Sequence, residues 1–271
     1  MTKPQCDDND IRILITNDDG IHAPGIKILE AIARDITSDV WVVAPDQEKS
    51  GAGHSVSLTH PLRMRQLDER HFQITGTPTD CVLMAVFEIM QDRRPTYVFS
   101  GINSGANLAE DVSYSGTAAA AMEGTLLGMR SIALSQIRGP DGQPDFAPCE
   151  HHAPALIRRL LAIEDWPAGS FLNVNFPHAT PDEITGVQLT TQGQRPPGSF
   201  SIDARVDARS QPYFWVRIAY TDGAKDPATD LHAIAEQAIS VTPIKMDFTD
   251  VAWRDTLQRD LGSNPLVPQS P

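Results

Sequence analysis

The ordered pattern opens on a short, β-branched apolar run from Arg12 to Thr16 (RILIT). After the polar stretch NDDGIHAPG, the apolar positions Ile26, Leu29, Ile32 and Ala33 recur at helical spacing. Val40 to Ala44 (VWVVA) is a second continuously apolar run, as expected of a parallel strand covered on both faces. Strand, loop, helix and strand in this order read as a βαβ unit.

The pattern continues in the same style. Thr79 or Asp80 can accept from the free N–H groups of a helix whose face is Val82, Val86 and Ile89. Tyr97 to Phe99 predicts a strand followed by the loop SGINSGANL. The small residues of SGTAAAAME then suit a helix packed closely on a sheet, with Ser113 or Ser115 at its cap. Ser131 to Leu134 is a further strand.

Beyond Cys149 the spacing predicts a helix over Ala155 to Ile163 and strands at Phe171 to Asn175 and Val187 to Thr190. Residues 194–210, rich in Pro, Gly, Ser and Arg, lack apolar periodicity and predict an exposed excursion before a strand at Tyr213 to Ala219. A projecting hairpin or oligomer contact over 194–224 fits that composition. The alternating Tyr213, Phe214 and Trp215 read as core packing rather than base stacking. Asp230 to Ala238 reads as a helix and Ser240 to Ile244 as a final strand. One α/β domain over 11–260 is expected, with polar residues 1–10 and the segment 261–271 as tails.

Composition narrows the function. A formal net charge of -13 argues against a large nucleic-acid interface, which needs clustered Lys and Arg. A small anionic substrate stays open where a cation and backbone N–H groups supply local positive charge. Cys6, Cys81 and Cys149 form no CxxC pair, which supports neither a disulfide framework nor a zinc ribbon and fits a reducing cytoplasm. No apolar run approaches the ~18 residues of a membrane span.

Ligands of open parallel sheets collect beyond the carboxyl ends of the strands. Three polar loops qualify: Asn17-Asp18-Asp19-Gly20, then Pro45 to Gly51, then Ser100 to Gly105. Adjacent carboxylates after a buried strand repel and must be desolvated, which a metal would compensate. The competing reading is that Asp18 or Asp19 caps a helix or forms an Asx-turn, as Asp before Gly often does. Gly51, Gly53, Gly101, Gly105 and Gly116 allow backbone N–H groups to approach an anion, and the Ser115-Gly116-Thr117 helix start adds partial positive charge. Taken singly, each glycine reads as a turn or close-packing residue.

Other phosphate machines fail. Ile26 separates Gly25 from Lys27, which breaks a P-loop, and Val56 stands where a dinucleotide fingerprint needs its third glycine. His22 and His54 admit a substrate or proton-transfer role, or that of hydrogen-bonded loop histidines. His151 and His152, at a helix start, read as solvent-facing.

These residues resemble the SurE (survival protein E) family of metal-dependent 5'-nucleotidases. The resemblance rests on ILITNDDGIHAPGI, VVAPDQEKSGAGHSVSLTHPLR, GTPTDCV, SGINSGANLAEDVSYSGTAAAAMEG and AISVTPIKMDF, whereas 139–211 is similar only in character and length. It implies a Rossmann-like, mostly parallel sheet with helices on both faces. It also implies a C-terminal projecting extension that builds a homodimer or homotetramer. One divalent cation, Mg²⁺ or Mn²⁺, would be held by the matching Asp18, Asp19, Ser50 and Asn103. Ser50, Gly51, Asn107, Ser115, Gly116 and Thr117 would surround the phosphate.

The resulting expectation is hydrolysis of nucleoside 5'-monophosphates, with 3'-nucleotides as further candidates. Asp19 would orient or deprotonate the attacking water. Asp18 and Asn107 would complete the catalytic set, with Lys49 or His54 as further stabilisers of phosphoryl charge. The alternative is a nucleotide-binding, oligomeric stress protein with little catalysis. A metal-dependent glycosyltransferase or deacetylase on a similar sheet ranks lower, because no nucleotide-sugar cleft is visible in the sequence.

Overall fold

The computed structural model describes residues 11–196, 200–218 and 226–262. Strands β1 (Ile13–Thr16) and β2 (Val40–Pro45) pair in parallel, with helix α1 (Pro24–Arg34) as their crossover. Alternation along the strand sends Ile13 and Ile15 to one face, where Ile26, Leu29 and Ile32 of α1 cover them. Leu14 faces the other way, toward Val82 and Val86. The predicted βαβ unit is present.

Two short strands, β3 (Met64–Gln66) and β4 (His71–Ile74), extend the sheet beyond β2. They carry no long apolar run, and the sequence reading passes over them. Helix α2 (Pro78–Met84) is capped by Thr77, not by Thr79 or Asp80. The Thr77 hydroxyl accepts from the Asp80 N–H at 3.1 Å, while Asp80 Oδ2 accepts from the Thr77 N–H at 2.9 Å. This reciprocal box, followed by Pro78 in the first turn, fixes the start two residues earlier.

Strand β5 (Tyr97–Ser104) runs five residues past the expected Phe99. A register shift against β6 (Arg130–Gln136) between Ser100 and Asn103 lets the chain continue pairing through its glycine. Helix α3 (Gly116–Leu126) is capped by the Ser115 hydroxyl, which accepts from the Ala118 N–H at 2.9 Å. Its small residues bring it close to the sheet: a Cβ on Gly124 would meet Ser131 Oγ at 2.6 Å.

Helix α4 (Ala147–Leu161) starts well before the expected Ala155. Pro154 mimics a first-turn proline in the sequence yet lies inside the helix. His151 is exposed, but His152 is only partly so and its Nε2 lies 3.0 Å from the Pro181 carbonyl, which corrects the solvent-facing reading. Strand β7 (Ser170–Phe176) follows, then β8 (Gly186–Leu189).

β9 (Phe200–Val206) and β10 (Pro212–Ile218) form a separate antiparallel pair. Tyr213, Phe214 and Trp215 on it are exposed, Phe214 by 63%, so they are not core residues of the chain. Their apolar run is that of a buried strand, but no layer among the described residues covers it. The predicted excursion at 194–224 falls partly outside the described residues, and so does most of the tail 261–271.

Helix α5 (Asp230–Ala235) leads into β11 (Ala238–Lys245), which is inserted between β7 and β8 rather than ending the sheet. A last helix, α6 (Val251–Gly262), was not anticipated, its apolar residues being sparse and exposed. The sheet order is β3-β4-β2-β1-β5-β6-β7-β11-β8. β4, β2, β1, β5, β6 and β7 are parallel, while β11 is antiparallel to β7. Helices α1 and α4 cover one face, α2 and α3 the other. The fold is α/β, with a mostly parallel sheet covered on both faces.

Candidate active site

Because β1, β2 and β5 are parallel, the three polar loops leave the same edge of the sheet, as expected. Backbone hydrogen bonds lock them together: Lys49 N–H donates to the Asp18 carbonyl at 2.7 Å, and Gly53 N–H to the Tyr114 carbonyl at 3.0 Å. They enclose a cleft of about 610 Å³ whose walls include Asp18, Ser50, Asn103, Asn107, Ser115 and Arg138.

Neither aspartate of the first loop caps the following helix. The N-cap of α1 is Ala23, with no side-chain cap, and the turn is closed by Asn17 Nδ2 donating to the Gly20 carbonyl at 2.9 Å. Gly20 sits at φ +98°, which an L side chain rarely adopts. Neither carboxylate is therefore spent on capping α1.

Asp18 is 4% exposed and accepts from the Thr117 hydroxyl at the start of α3. Burial pushes its pKa up to about 6; the Thr117 hydrogen bond opposes this and the neighbouring Asp19 charge adds to it. Asp19 accepts the Ser104 N–H on Oδ2 at 3.0 Å. Its pKa is also raised, first by burial, with the Ser104 bond opposing, Glu48 adding and Arg138 opposing.

Ser50 is exposed and donates to Glu48 Oε1 at 2.7 Å, which leaves its oxygen lone pairs to accept a ligand. Asn103 Nδ2 donates to the Gly105 carbonyl at 3.1 Å, leaving the amide oxygen as the free acceptor. Two carboxylates, a hydroxyl and an amide oxygen are hard donors of the kind that Mg²⁺ or Mn²⁺ takes. Among the described residues no three His, Cys, Asp or Glu side chains cluster as a metal site, so a set at this cleft has to draw on such neutral oxygens. A divalent cation fits these residues, because it would offset the two desolvated carboxylates.

The remaining candidates divide by position. Gly51, at φ +74°, and Ser115 line the cleft. Gly116 and Thr117 instead lie against Asp18, a Cβ on Gly116 standing 2.7 Å from the Asp18 Cβ. Asn107 is buried, lines the cleft and is held through its N–H, its Nδ2 and its carbonyl. Its N–H donates to Asn175 Oδ1 at 2.9 Å, its Nδ2 to Ser135 Oγ at 2.8 Å, and its carbonyl accepts Asn173 Nδ2 at 2.7 Å. His54 Nε2 lies 2.8 Å from Glu123 Oε2, outside the cleft wall.

Sequence reasoning missed Ser135, Asn173, Asn175 and Arg138. Asn173 and Asn175, two apart on a strand, share one face, and an amide pair on the face of a buried strand was the available signal. Arg138 follows β6, a further parallel strand that ends at this edge.

Comparison with known proteins gives the same grouping from another direction. The family model described as Survival protein SurE matches residues 13–198. The chain belongs to the SurE family. The 5'-nucleotidase SurE of Methylorubrum populi is 52% identical over 242 residues, 89% of this chain and 95% of its own. That of Parvibaculum lavamentivorans is 49% identical over 255 residues, 93% and 92% of the two chains. The crystal structure of the SurE protein from Aquifex aeolicus superposes with a TM-score of 0.78 at 34% identity, covering 92% of this chain and 98% of that one. The SurE family match ends at residue 198, ahead of β9, β10 and the C-terminal elements.

Proposed function

We propose that this chain is a 5'-nucleotidase, a phosphomonoesterase that releases phosphate from nucleoside 5'-monophosphates with one divalent cation, Mg²⁺ or Mn²⁺, per subunit. The observation that carries this reading is the adjacent, desolvated pair Asp18 and Asp19, with Asp18 lining a cleft beside Ser50 and Asn103 and Asp19 hydrogen-bonded to Ser104 of the same wall. The curated relatives of the family bear the name 5'-nucleotidase SurE, which agrees with it.

Asp18, Asp19, Ser50 and Asn103 are the residues that would hold the cation. When bound, it supplies positive charge against phosphoryl oxygens and Lewis acidity toward water. Asp19 has one oxygen fixed by the Ser104 N–H, which leaves the other to orient or deprotonate the attacking water in line with the ribose leaving group. Asn107, clamped by Ser135, Asn173 and Asn175, is a rigid polar group against the phosphoryl oxygens. The N-terminus of α3, with Ser115 at the cleft, adds partial positive charge. Most of the catalytic effect in such transfers is positional and electrostatic.

Exposed aromatic and aliphatic side chains on the β9–β10 pair support a homodimer or homotetramer in which that pair is covered. Free, buried Cys81 and Cys149 fit a reducing cytoplasm. No helix among the described residues is long and apolar enough to cross a membrane. Phosphate release from a panel of 5'- and 3'-nucleoside monophosphates tests the activity. No release from folded, metal-loaded protein would favour a nucleotide-binding protein instead.

A further inference from the structure

Arg138 is the one cationic side chain lining the cleft among the described residues. Its Nε donates to Ser104 Oγ at 3.0 Å, and the backbone of the same Ser104 donates to Asp19 Oδ2 at 3.0 Å. A Cβ built on Gly105 would lie 3.8 Å from Arg138 Nε and 3.8 Å from Asn103 Nδ2, so the guanidinium stands beside the proposed metal ligands with only a glycine between.

The arginine is also held at its root. Arg138 bridges Pro144, and Gly139 N–H donates to the Gln143 carbonyl at 2.9 Å, closing a tight turn. The preceding Ile137 N–H donates to the Phe176 carbonyl at 3.0 Å. Asp111, the other charged wall residue beyond Asp18, is already paired bidentately with Arg195 at 2.7 Å on both arms and does not engage Arg138. Neither terminal Nη group of Arg138 has a hydrogen bond or ion pair among the described residues. A planar cation, pinned by Nε at a cleft that takes a phosphate dianion and with both Nη donors free, matches the fork geometry by which arginine binds phosphoryl oxygens.

We infer that Arg138 binds the substrate directly, its two Nη groups donating to non-bridging oxygens of the phosphoryl group beside the Asp18–Asp19 pair. This rests on the nucleotidase reading above and adds to it a cation that the chain itself supplies. Because the contact is to phosphate, Arg138 serves any phosphomonoester and is indifferent to the base.

The test is steady-state hydrolysis by full-length, Mn²⁺-loaded wild type, Arg138→Ala, Arg138→Lys and Ser104→Ala. The substrates are a nucleoside 5'-monophosphate and p-nitrophenyl phosphate, with inorganic phosphate as inhibitor and a Mn²⁺ titration alongside. Arg138→Ala is expected to lower kcat/KM on both substrates by about 10²-fold, as for loss of one transition-state donor. Inhibition by phosphate should weaken roughly tenfold while Mn²⁺ affinity holds. Lysine should recover part of the loss, and Ser104→Ala should lose much less.

Unchanged kinetics in Arg138→Ala overturn the inference. So does a loss confined to the nucleotide, which would move the contact to sugar or base. A loss matched by Ser104→Ala, or accompanied by equal loss of Mn²⁺ affinity, would make Arg138 a buttress and overturn it too. If wild type itself hydrolyses neither substrate, the nucleotidase reading fails separately. Direct titration with inorganic phosphate then decides: weaker binding to Arg138→Ala upholds the contact, and equal binding removes it.

Discussion

Gly116 lies so close to Asp18 that a Cβ built on it would stand 2.7 Å from the Asp18 Cβ and 2.9 Å from Oδ2. The first turn of α3 and the loop after β1 therefore share one packed contact, with the Thr117 hydroxyl on Asp18 Oδ1 as its polar half. Gly116→Ala gains helix propensity but has to displace the carboxylate. Metal affinity should fall roughly tenfold or more, as when a group orienting a ligand is lost, and phosphate release should fall with it. A Mn²⁺ titration beside a thermal melt checks this. Intact affinity in a folded variant would mean that Asp18 does not hold the cation.

Proton and metal compete for Asp18. Burial raises its pKa to about 6, so the metal-free carboxyl is increasingly neutral below that pH and has to lose its proton to bind a cation. The apparent Kd for Mn²⁺ should be flat above pH 7 and rise up to about tenfold per pH unit below pH 6. For the metal-free chain the sign is opposite: the stability contributed by this group is fully present below the unfolded carboxyl pKa and is lost as pH rises through about 6. Titration calorimetry across pH 5 to 8 reads the first effect, and melts of stripped protein read the second.

Much of this site was legible because its chemistry sits next to strongly patterned strands. RILIT and VWVVA declare two buried parallel strands, and the acidic and glycine-bearing loops after them then have to share an edge. What escaped notice depends on packing between distant segments. β3 and β4 are three and four residues long with mixed polarity, and they are strands only because β2 offers an edge. Asn173 and Asn175 act by reaching Asn107, 66 and 68 residues away. The aromatic alternation in β10 correctly signals a strand and misleads on burial, since periodicity does not say whether the covering layer belongs to the same chain.

His71 bridges two segments far from the cleft, its Nδ1 2.7 Å from Asp68 Oδ1 and its Nε2 3.0 Å from Glu30 Oε2. Burial opposes its charge, but the hydrogen bonds to Glu30 and Asp68 outweigh this and raise its pKa above the ordinary value. Its contribution is fully present below the unfolded histidine pKa and is lost as pH rises through the folded one. His71→Gln should lower the melting temperature most at mildly acidic pH and least at alkaline pH. A destabilisation independent of pH would show that the imidazolium pairing is not what matters.

The β9–β10 pair gives an assembly prediction. Phe214 and Val216 are 63% and 66% exposed, so replacing them costs the isolated chain little. Phe214→Arg with Val216→Glu should lower the mass seen in sedimentation while the melt of the α/β body changes little. An unchanged mass would remove this pair from any subunit interface.

The most direct test of the central claim compares metal-stripped wild type and Asp19→Asn, each with Mg²⁺ or Mn²⁺ restored, for phosphate release from nucleoside 5'-monophosphates. The account predicts release by wild type only when metal is present, and none by a folded Asp19→Asn variant. Full turnover by Asp19→Asn, or equal turnover by wild type after the metal is removed, would contradict it.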